Sequence, residues 1–321
     1  MNSTDTVELT AASLTQPQKR RKPIYPYLYI LPGLLFMLLA TVIPGLATIY
    51  ISLTDFSIAH LKDWTFVGLK NYQTILIGAS QVEFIRVFGW TLAWTLLSTA
   101  LAYTLGLFLA LLLNNRNLRE RDFYRTLLIL PWAMPTTITI LSWTGLFSSS
   151  FGPINRLLGS LGFAAIPWLT DPTWARFTCL AVNLWLSFPF MMAACLGALQ
   201  SIPDDYYDAG RVDGASSIQI FRHITFPLLR SATLPLLVSG FAMQFANFGV
   251  VYLMTNGGPF TNPGSLAGET ELLATYMYKL AFGSNTFNYA MAAATSIIIF
   301  IIVGSLTLLN SNLTGAFREV D

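Results

Sequence analysis

The stretch IPDDYYDAGRVDGASSIQIFRHITFP (Ile202–Pro227) is a long polar passage between two apolar segments of the chain. Two aspartates follow Pro203, and negative charge near a helix N-terminus is favourable, so a helix is predicted to begin there. Gly214 suits the left-handed conformation that ends a helix. Ser216 and Gln219 match a capping box that starts a second helix, and Pro227 permits a fresh helix to start into the next apolar run. The stretch therefore predicts a helix-turn-helix that serves as a docking surface, with a solvated amphipathic loop as the alternative.

The composition places this hairpin in a membrane protein. The chain has 321 residues, 54% of them hydrophobic and 11% charged, and its mean hydropathy is +0.57. An apolar helix of about 20 residues crosses a bilayer with its backbone polar groups satisfied internally. Six such runs are predicted at residues 27–53, 87–113, 126–147, 174–199, 228–255 and 287–310. The predicted fold class is an all-α integral membrane protein with six transmembrane helices.

The predicted domain organisation follows from these runs. A six-helix transmembrane domain extends over residues 25–310 and contains the polar loop 202–227. Short tails precede and follow it, at residues 1–24 and 311–321.

The distribution of basic residues predicts the orientation. Twelve Lys and Arg residues fall on the side of the 202–227 loop, and six fall on the other side. Because basic residues concentrate on the cytoplasmic side of a membrane, this loop and both termini are predicted to be cytoplasmic. Topology thus accounts for the basic residues, and a nucleic-acid partner is not supported. Cys179 and Cys195 lie on one predicted helix, too far apart for a disulfide.

The third span opens with the sequence LILPWAMP (Leu128–Pro135), whose two prolines interrupt a helical hydrogen-bond ladder. Irregular backbone at membrane depth is tolerated only where protein or a water-filled cavity covers it. This segment is therefore predicted to face the interior of the helix bundle. Trp132, between the prolines, belongs either to an interfacial aromatic belt or to a wall that faces a substrate.

Two predicted spans carry amide side chains on one face. Asn183 and Ser187 are four residues apart in the fourth span, and Gln244 and Asn247 are three apart in the fifth. Amides both donate and accept hydrogen bonds, and aromatic residues lie nearby, so this pattern suits a neutral polyhydroxyl ligand. Asn183 could instead make an interhelical hydrogen bond. These faces carry no ionisable residue, which disfavours an ionic substrate or a proton relay.

Other functional classes fit the sequence less well. The chain has no G-x-x-x-x-G-K-[ST] phosphate loop, so we predict that it is not an enzyme and that any ATP hydrolysis comes from a separate subunit. A secondary carrier would predict ionisable residues within spans or an internal repeat, and neither is seen. A membrane enzyme would need clustered His, Asp or Glu, but His60 and His223 are far apart in sequence. No cofactor or metal is predicted.

The polar hairpin resembles the cytoplasmic signature loop of binding-protein-dependent ABC importer permeases. The positions that carry this resemblance are Asp208, Ala209, Gly210, Asp213, Gly214, Ile224 and Pro227. The pattern D-G-A-x-x-x-x-x-F-x-x-I-x-x-P, and the sequence TNGGPF (Thr255–Phe260), are similar to the sugar-importing branch. Asp208 stands where the family usually has Glu, and Gly210 where it has Ala. From about residue 25 onward, the chain resembles the maltose/maltodextrin, MalF-type permeases.

This resemblance implies a type I ABC importer permease fold in the bacterial cytoplasmic (inner) membrane. Its implied partners are a second homologous permease subunit, two ATP-binding cassette subunits that dock at a coupling helix within 202–227, an extracytoplasmic sugar-binding protein and membrane lipid. The implied substrate is an oligosaccharide, with maltose or maltodextrin favoured, and with trehalose or a glycerol-phosphate-like solute as alternatives.

The resemblance also implies a set of substrate-binding positions. They are Trp132, Asn183, Leu186, Ser187, Phe190, Gly240, Met243, Gln244 and Asn247. Several depart from the family pattern: Trp132 and Phe190 stand for Tyr, Ser187 for Gly, Gly240 for Ser, Met243 for Phe and Gln244 for Asn. The amide and aromatic character is kept, whereas the fine specificity is open to change.

Overall fold

A computed structural model describes residues 25–115, 118–283 and 287–314. Its helices are α1 (Tyr25–Met37), α2 (Ile43–Ser52), α3 (Lys70–Leu76), α4 (Gln81–Leu113), α5 (Arg121–Ala133), α6 (Thr136–Leu146), α7 (Pro153–Ser160), α8 (Pro172–Gln200), α9 (Asp204–Val212), α10 (Ser217–Ile220), α11 (Phe226–Phe245), α12 (Gly249–Thr255), α13 (Leu273–Phe282) and α14 (Tyr289–Thr314). Two compact units divide between Ala47 and Thr48, and each is described by itself. The predicted tail 1–24 lies outside the described residues, as does 315–321 of the second tail.

The predicted set of six spans agrees with the helices. Those long and apolar enough to cross a membrane are Leu28–Ser52, Gln81–Leu113, Pro172–Gln200, Ser217–Thr255 and Tyr289–Leu308, and the bent pair α5 and α6 supplies one more. Helix α4 begins six residues before the predicted start at 87. Its first turns contain Glu83 and Arg86, whose side chains hydrogen-bond to the backbone of Ala267 in the loop between α12 and α13. The fold is therefore that of an all-α, multi-pass membrane protein.

The predicted interruption in the third span is confirmed at Pro135, whereas Pro131 lies inside α5 and does not break it. Helix α5 ends at Ala133, α6 begins at Thr136, and the two helices differ in direction by 91°. Pro135 has no N–H to continue the ladder, and Met134 between the helices is extended, with ψ of 146°. Trp132 is thereby carried at the end of a helix, next to a bend.

The predicted helix-turn-helix is also confirmed, in α9 and α10. Gly214 lies between them with φ of +75°, a conformation that costs glycine nothing. Ser216 and Gln219 form the expected capping box, each bonding to the other's backbone N–H. Asp208 and Arg211 share a face of α9, where their side chains form an ion pair at 2.8 Å. The local sequence accounts for each of these features.

One expectation about this hairpin is wrong, because Pro227 does not start a fresh helix. The chain is helical from Ser217 through Phe245, with a π-turn at Phe221–Thr225. In this turn the N–H of Phe226 bonds to the Phe221 carbonyl, five residues back. A proline in a regular helix lacks one donor and its ring clashes with a carbonyl in the preceding turn. The widened turn just before Pro227 accommodates both effects. A second π-turn, Leu38–Val42, likewise precedes Pro44.

Helices α4 and α8 pack closely along their lengths and form the centre of the second unit. Gly106 makes this possible, since a Cβ there would lie 2.7 Å from the backbone nitrogen of Met192. Small residues at such crossings let two membrane helices approach each other. Cys179 and Cys195 on α8 are buried and free, as predicted.

Candidate functional site

A cavity of about 370 Å³ lies between α4, α5, α8 and α11. It is lined by Thr99, Ala102, Trp132, Leu186, Ser187, Phe190, Met191, Gly240, Met243 and Gln244. Seven of the nine predicted substrate-binding residues are therefore brought together around one space. The remaining two, Asn183 and Asn247, are not in the lining. They lie in contact with one lining residue, Gln244.

Gln244 is the centre of a hydrogen-bonded network that joins α8 to α11. The amide nitrogen of Asn183 donates to Oε1 of Gln244 at 3.1 Å. The Gln244 nitrogen in turn donates to the Ser187 hydroxyl at 3.2 Å. Asn247 donates to Gln244 at 3.2 Å and to Asn183 at 3.3 Å. The network orients the Gln244 amide at the edge of the cavity.

Asn183 belongs to this network and does not line the cavity. Its side chain is buried, with a relative exposure of 2%. It makes the interhelical hydrogen bond to Gln244 that the sequence left as one alternative. Asn247 has a buried Oδ1 that accepts no hydrogen bond from the residues described. A buried carbonyl oxygen without a donor is unfavourable, so the network leaves one polar atom of Asn247 unmatched.

Two aromatic rings form a wall of the cavity. Trp132 and Phe190 have ring centroids 6.4 Å apart, and their exposures are 61% and 47%. Met243, 75% exposed, adds a flexible apolar surface. The lining thus combines aromatic faces with one amide and two hydroxyl groups, and none of the described lining residues is ionisable. This combination suits a ligand that has both apolar faces and hydroxyl groups.

The sequence did not indicate the contribution of α4 to this cavity. Thr91 and Thr95 on that helix each donate to the carbonyl four residues back at 2.7 Å. The next threonine in this series, Thr99, lines the cavity, and its buried hydroxyl has no partner in the described part of the chain. The repeated threonines were a possible signal. A threonine on a membrane helix usually bonds to its own backbone, however, and so points to no ligand by itself.

The residues of the polar hairpin divide into an exposed set and an internal set. Asp208, Ala209, Asp213, Gly214 and Pro227 are exposed, as are the apolar side chains of Val212 and Ile218. Gly210 is buried, and a Cβ there would lie 3.1 Å from Cδ1 of Ile224 and 3.4 Å from Cγ1 of Ile220. Gly210 and Ile224 therefore hold the two helices together, whereas the exposed set is accessible to another protein.

At the opposite end of the spans, Glu269 ties a loop to the starts of two helices. Its carboxylate pairs with Arg176 at the start of α8 at 2.8 Å, and with Arg86 on α4 at 3.4 Å. The Arg176 Nε also donates to the Glu269 carbonyl at 2.8 Å. We refer to these three residues as the Glu269 clasp. In the sequence, Arg86 and Arg176 contribute only to the charge distribution that predicts the orientation.

A second ionic contact explains Gly257, the first glycine of TNGGPF. Glu271 is fully buried and pairs with Lys279. Burial raises the pKa of Glu271, while the positive charge of Lys279 opposes this rise. Gly257 has φ of +77°, and a Cβ there would lie 2.0 Å from the Glu271 carboxylate. The glycine is therefore required by the turn and by the carboxylate beside it.

The spans and the neutral cavity together are those of a membrane permease. A family model described as "Binding-protein-dependent transport system inner membrane component" matches residues 102–315. The chain belongs to this family, and it is a transport permease subunit of an ABC importer.

Curated relatives support the same assignment. The galactooligosaccharide permease GanP of Bacillus subtilis is 38% identical over 302 residues, which cover 92% of this chain and 71% of the relative. The maltodextrin permease MdxF of Bacillus subtilis is 36% identical, over 91% of this chain and 69% of the relative. The maltose/maltodextrin permease MalF of Escherichia coli is 42% identical, over 77% of this chain and 49% of the relative. The chain therefore spans about half the length of that MalF.

A solved structure shares the fold. It is a bacterial ABC transporter involved in the import of the acidic polysaccharide alginate, and its matching chain has a TM-score of 0.71 at 22% identity. The match covers 92% of this chain and 96% of the other. At this level of identity, the match shows the importer permease fold alone.

Proposed function

We propose that this permease subunit carries an oligosaccharide, with maltose or maltodextrin favoured, through the cavity beside Gln244. The observation that carries the proposal is the convergence of the Trp132–Phe190 wall and the Gln244 network on one neutral cavity. Sugar rings present apolar faces to aromatic side chains and hydroxyl groups to amides. GanP, MdxF and MalF, each named for an oligosaccharide, support the same substrate class.

In the proposed mechanism, an extracytoplasmic binding protein delivers the sugar to the end of the spans that carries the Glu269 clasp. Two ATP-binding cassette subunits dock on the exposed residues of Ile202–Pro227. A second, homologous permease subunit completes the pathway. ATP binding draws the two docking loops together and opens the pathway outward, and hydrolysis reverses the change. The buried Gly210–Ile224 contact makes the hairpin stiff enough to transmit this motion.

We further propose that the docking loop and both termini face the cytoplasm of a bacterium, with the spans in its inner membrane. The excess of Lys and Arg on the side of the docking loop supports this orientation. It places the sugar cavity along the path from the binding protein to the cytoplasm. The nine substrate-binding residues and the seven coupling residues predicted from the sequence retain these roles as part of the proposal.

ATP hydrolysis by the reconstituted complex tests the substrate class. The complex with its binding protein is assayed with maltose, maltotriose, trehalose and glycerol phosphate. Stimulation by a glucan, with uptake lost in the Asn247→Ala and Gln244→Ala variants, supports the proposal. Stimulation only by glycerol phosphate would reject a neutral substrate. Uptake without added ATP would instead indicate a secondary carrier.

A further inference from the structure

A second cavity, of about 780 Å³, lies at the docking-loop end of the spans and shares no lining residue with the sugar cavity. Its walls come from the end of α4, the start of α5, the end of α8 and the start of α9. Asn114, Gln200 and Ser201 contribute polar groups, and Arg121 and Arg211 contribute two guanidinium groups. Five lining residues belong to the docking loop, whereas neither the sequence motifs nor the proposed transport path assigns a role to the walls from α4, α5 and α8.

Arg121 is the residue that indicates what the cavity holds. It is the first residue of α5, where the positive end of the helix dipole disfavours a cation. Its side chain is half-buried, and its Nε is buried without a hydrogen-bond partner among the described residues. Leaving a charged donor unmatched in this way costs more than leaving a neutral one. An anion in the cavity would satisfy both the charge and the donor.

The rest of the lining supports an anionic ligand. One guanidinium nitrogen of Arg211 donates to the Asp208 carboxylate at 2.8 Å. A guanidinium has five N–H donors, so others remain for a ligand. Among the described residues of the lining, Asp204 is the only acidic one, and it has interactions of its own. These described residues place two positive charges against one negative charge around the space. Two guanidinium groups border this space, and guanidinium groups pair well with the oxygens of a phosphate.

The position of the cavity indicates where the phosphate comes from. Asn114 directly follows the last residue of α4, and Gln200 is the last residue of α8, so the cavity lies at the ends of the predicted spans 87–113 and 174–199. Lipid headgroups occupy this level, and basic pockets between membrane helices bind anionic headgroups. We propose that the cavity binds a phosphate-bearing anion, supplied by the headgroup of an anionic phospholipid, with Arg121 as its central contact.

Lipid retention by the intact complex tests this proposal. The complex is reconstituted in nanodiscs of phosphatidylcholine with and without phosphatidylglycerol, and the bound lipid is counted by native mass spectrometry after extraction. We expect Arg121→Gln to lower the retained phosphatidylglycerol about fivefold, because one basic side chain near a membrane surface strengthens the binding of anionic lipid by about that factor. Arg121→Lys should keep most of it. Arg119→Gln is the matched control, because Arg119 is exposed and lies outside the cavity.

A second arm separates the two sources of phosphate. Inorganic phosphate is added to the complex in phosphatidylcholine alone, and the melting temperature is followed. Stabilisation that depends on Arg121, without selective retention of phosphatidylglycerol, would keep the anion site but assign it to free phosphate. Equal retention in Arg121→Gln and Arg119→Gln, with no Arg121-dependent stabilisation by phosphate, would overturn the proposal. Size-exclusion profiles of each variant show whether it has folded and assembled.

Discussion

Replacing Lys279 by methionine removes the ammonium group that pairs with the buried Glu271 carboxylate. The side-chain exposures are 0% for Glu271 and 11% for Lys279, so water cannot replace the lost partner. The other hydrogen bonds of the carboxylate come from the Thr275 side chain and, weakly at 3.4 Å, from the Gly268 N–H. Removing one partner of such a buried pair typically costs about 3–5 kcal/mol of stability. We expect the apparent melting temperature to fall by on the order of 5–10 °C.

The pH dependence of this loss has a definite sign. Burial raises the pKa of Glu271, and without Lys279 nothing comparable opposes it. A carboxyl with a raised pKa in the folded state binds a proton more readily when folded than when unfolded. The Lys279→Met variant should therefore gain stability relative to wild type as the pH falls through the folded-state pKa. Below the unfolded-state pKa this gain should level off.

Thermal unfolding of the purified complex, followed by tryptophan fluorescence at several pH values, measures both effects. Lys70→Met is the control, because Lys70 is exposed. The double variant Glu271→Leu/Lys279→Met should recover most of the lost stability, since an apolar pair can replace a buried ion pair at little cost. A Lys279→Met variant as stable as Lys70→Met at neutral pH would refute the reasoning.

Three further changes test the two ends of the spans. Glu269→Gln weakens the charged contacts of the Glu269 clasp, which should cost about 2–3 kcal/mol. Melting curves and protease sensitivity of the outer loop would show it, and an unchanged loop would argue against the clasp. Gly210→Val overpacks the contact with Ile224, a loss of about 1–3 kcal/mol that should lower sugar-stimulated ATP hydrolysis. Gly210→Ala is its milder control. A proline at position 214 cannot adopt the observed φ of +75°, so we expect Gly214→Pro to uncouple uptake from ATP hydrolysis. Normal uptake by this variant would contradict the docking role of the hairpin.

The features that the sequence predicted well are local ones. The Ser216–Gln219 capping box, the left-handed Gly214 and the break before Pro135 each depend on a few neighbouring residues. Helical periodicity also placed Ser187 and Gln244 on faces that meet at the cavity. Such patterns are visible in one sequence because their physical cause acts within a turn or two of helix.

The features that the sequence did not predict depend on residues far apart in the chain. Glu269 meets Arg86 and Arg176 only because the outer loop folds back over two helix starts. Thr99 lines the cavity because of how α4 packs, and nothing in its own span separates it from Thr95. The error at Pro227 has a different cause. A proline usually ends a helix, but a π-turn in front of it allowed the helix to continue.

Uptake of labelled maltotriose into proteoliposomes by the Gln244→Leu variant tests the central claim most directly. Leucine removes the amide that lines the cavity while keeping most of the side-chain bulk. If this amide contacts the sugar, uptake should fall roughly tenfold or more. The variant loses one hydrogen bond to the sugar, and it leaves a buried polar group that was bonded to Gln244 without a partner. Binding-protein-stimulated ATP hydrolysis and the amount of assembled complex should stay near wild type. Uptake equal to wild type would contradict the claim that the sugar passes through this cavity.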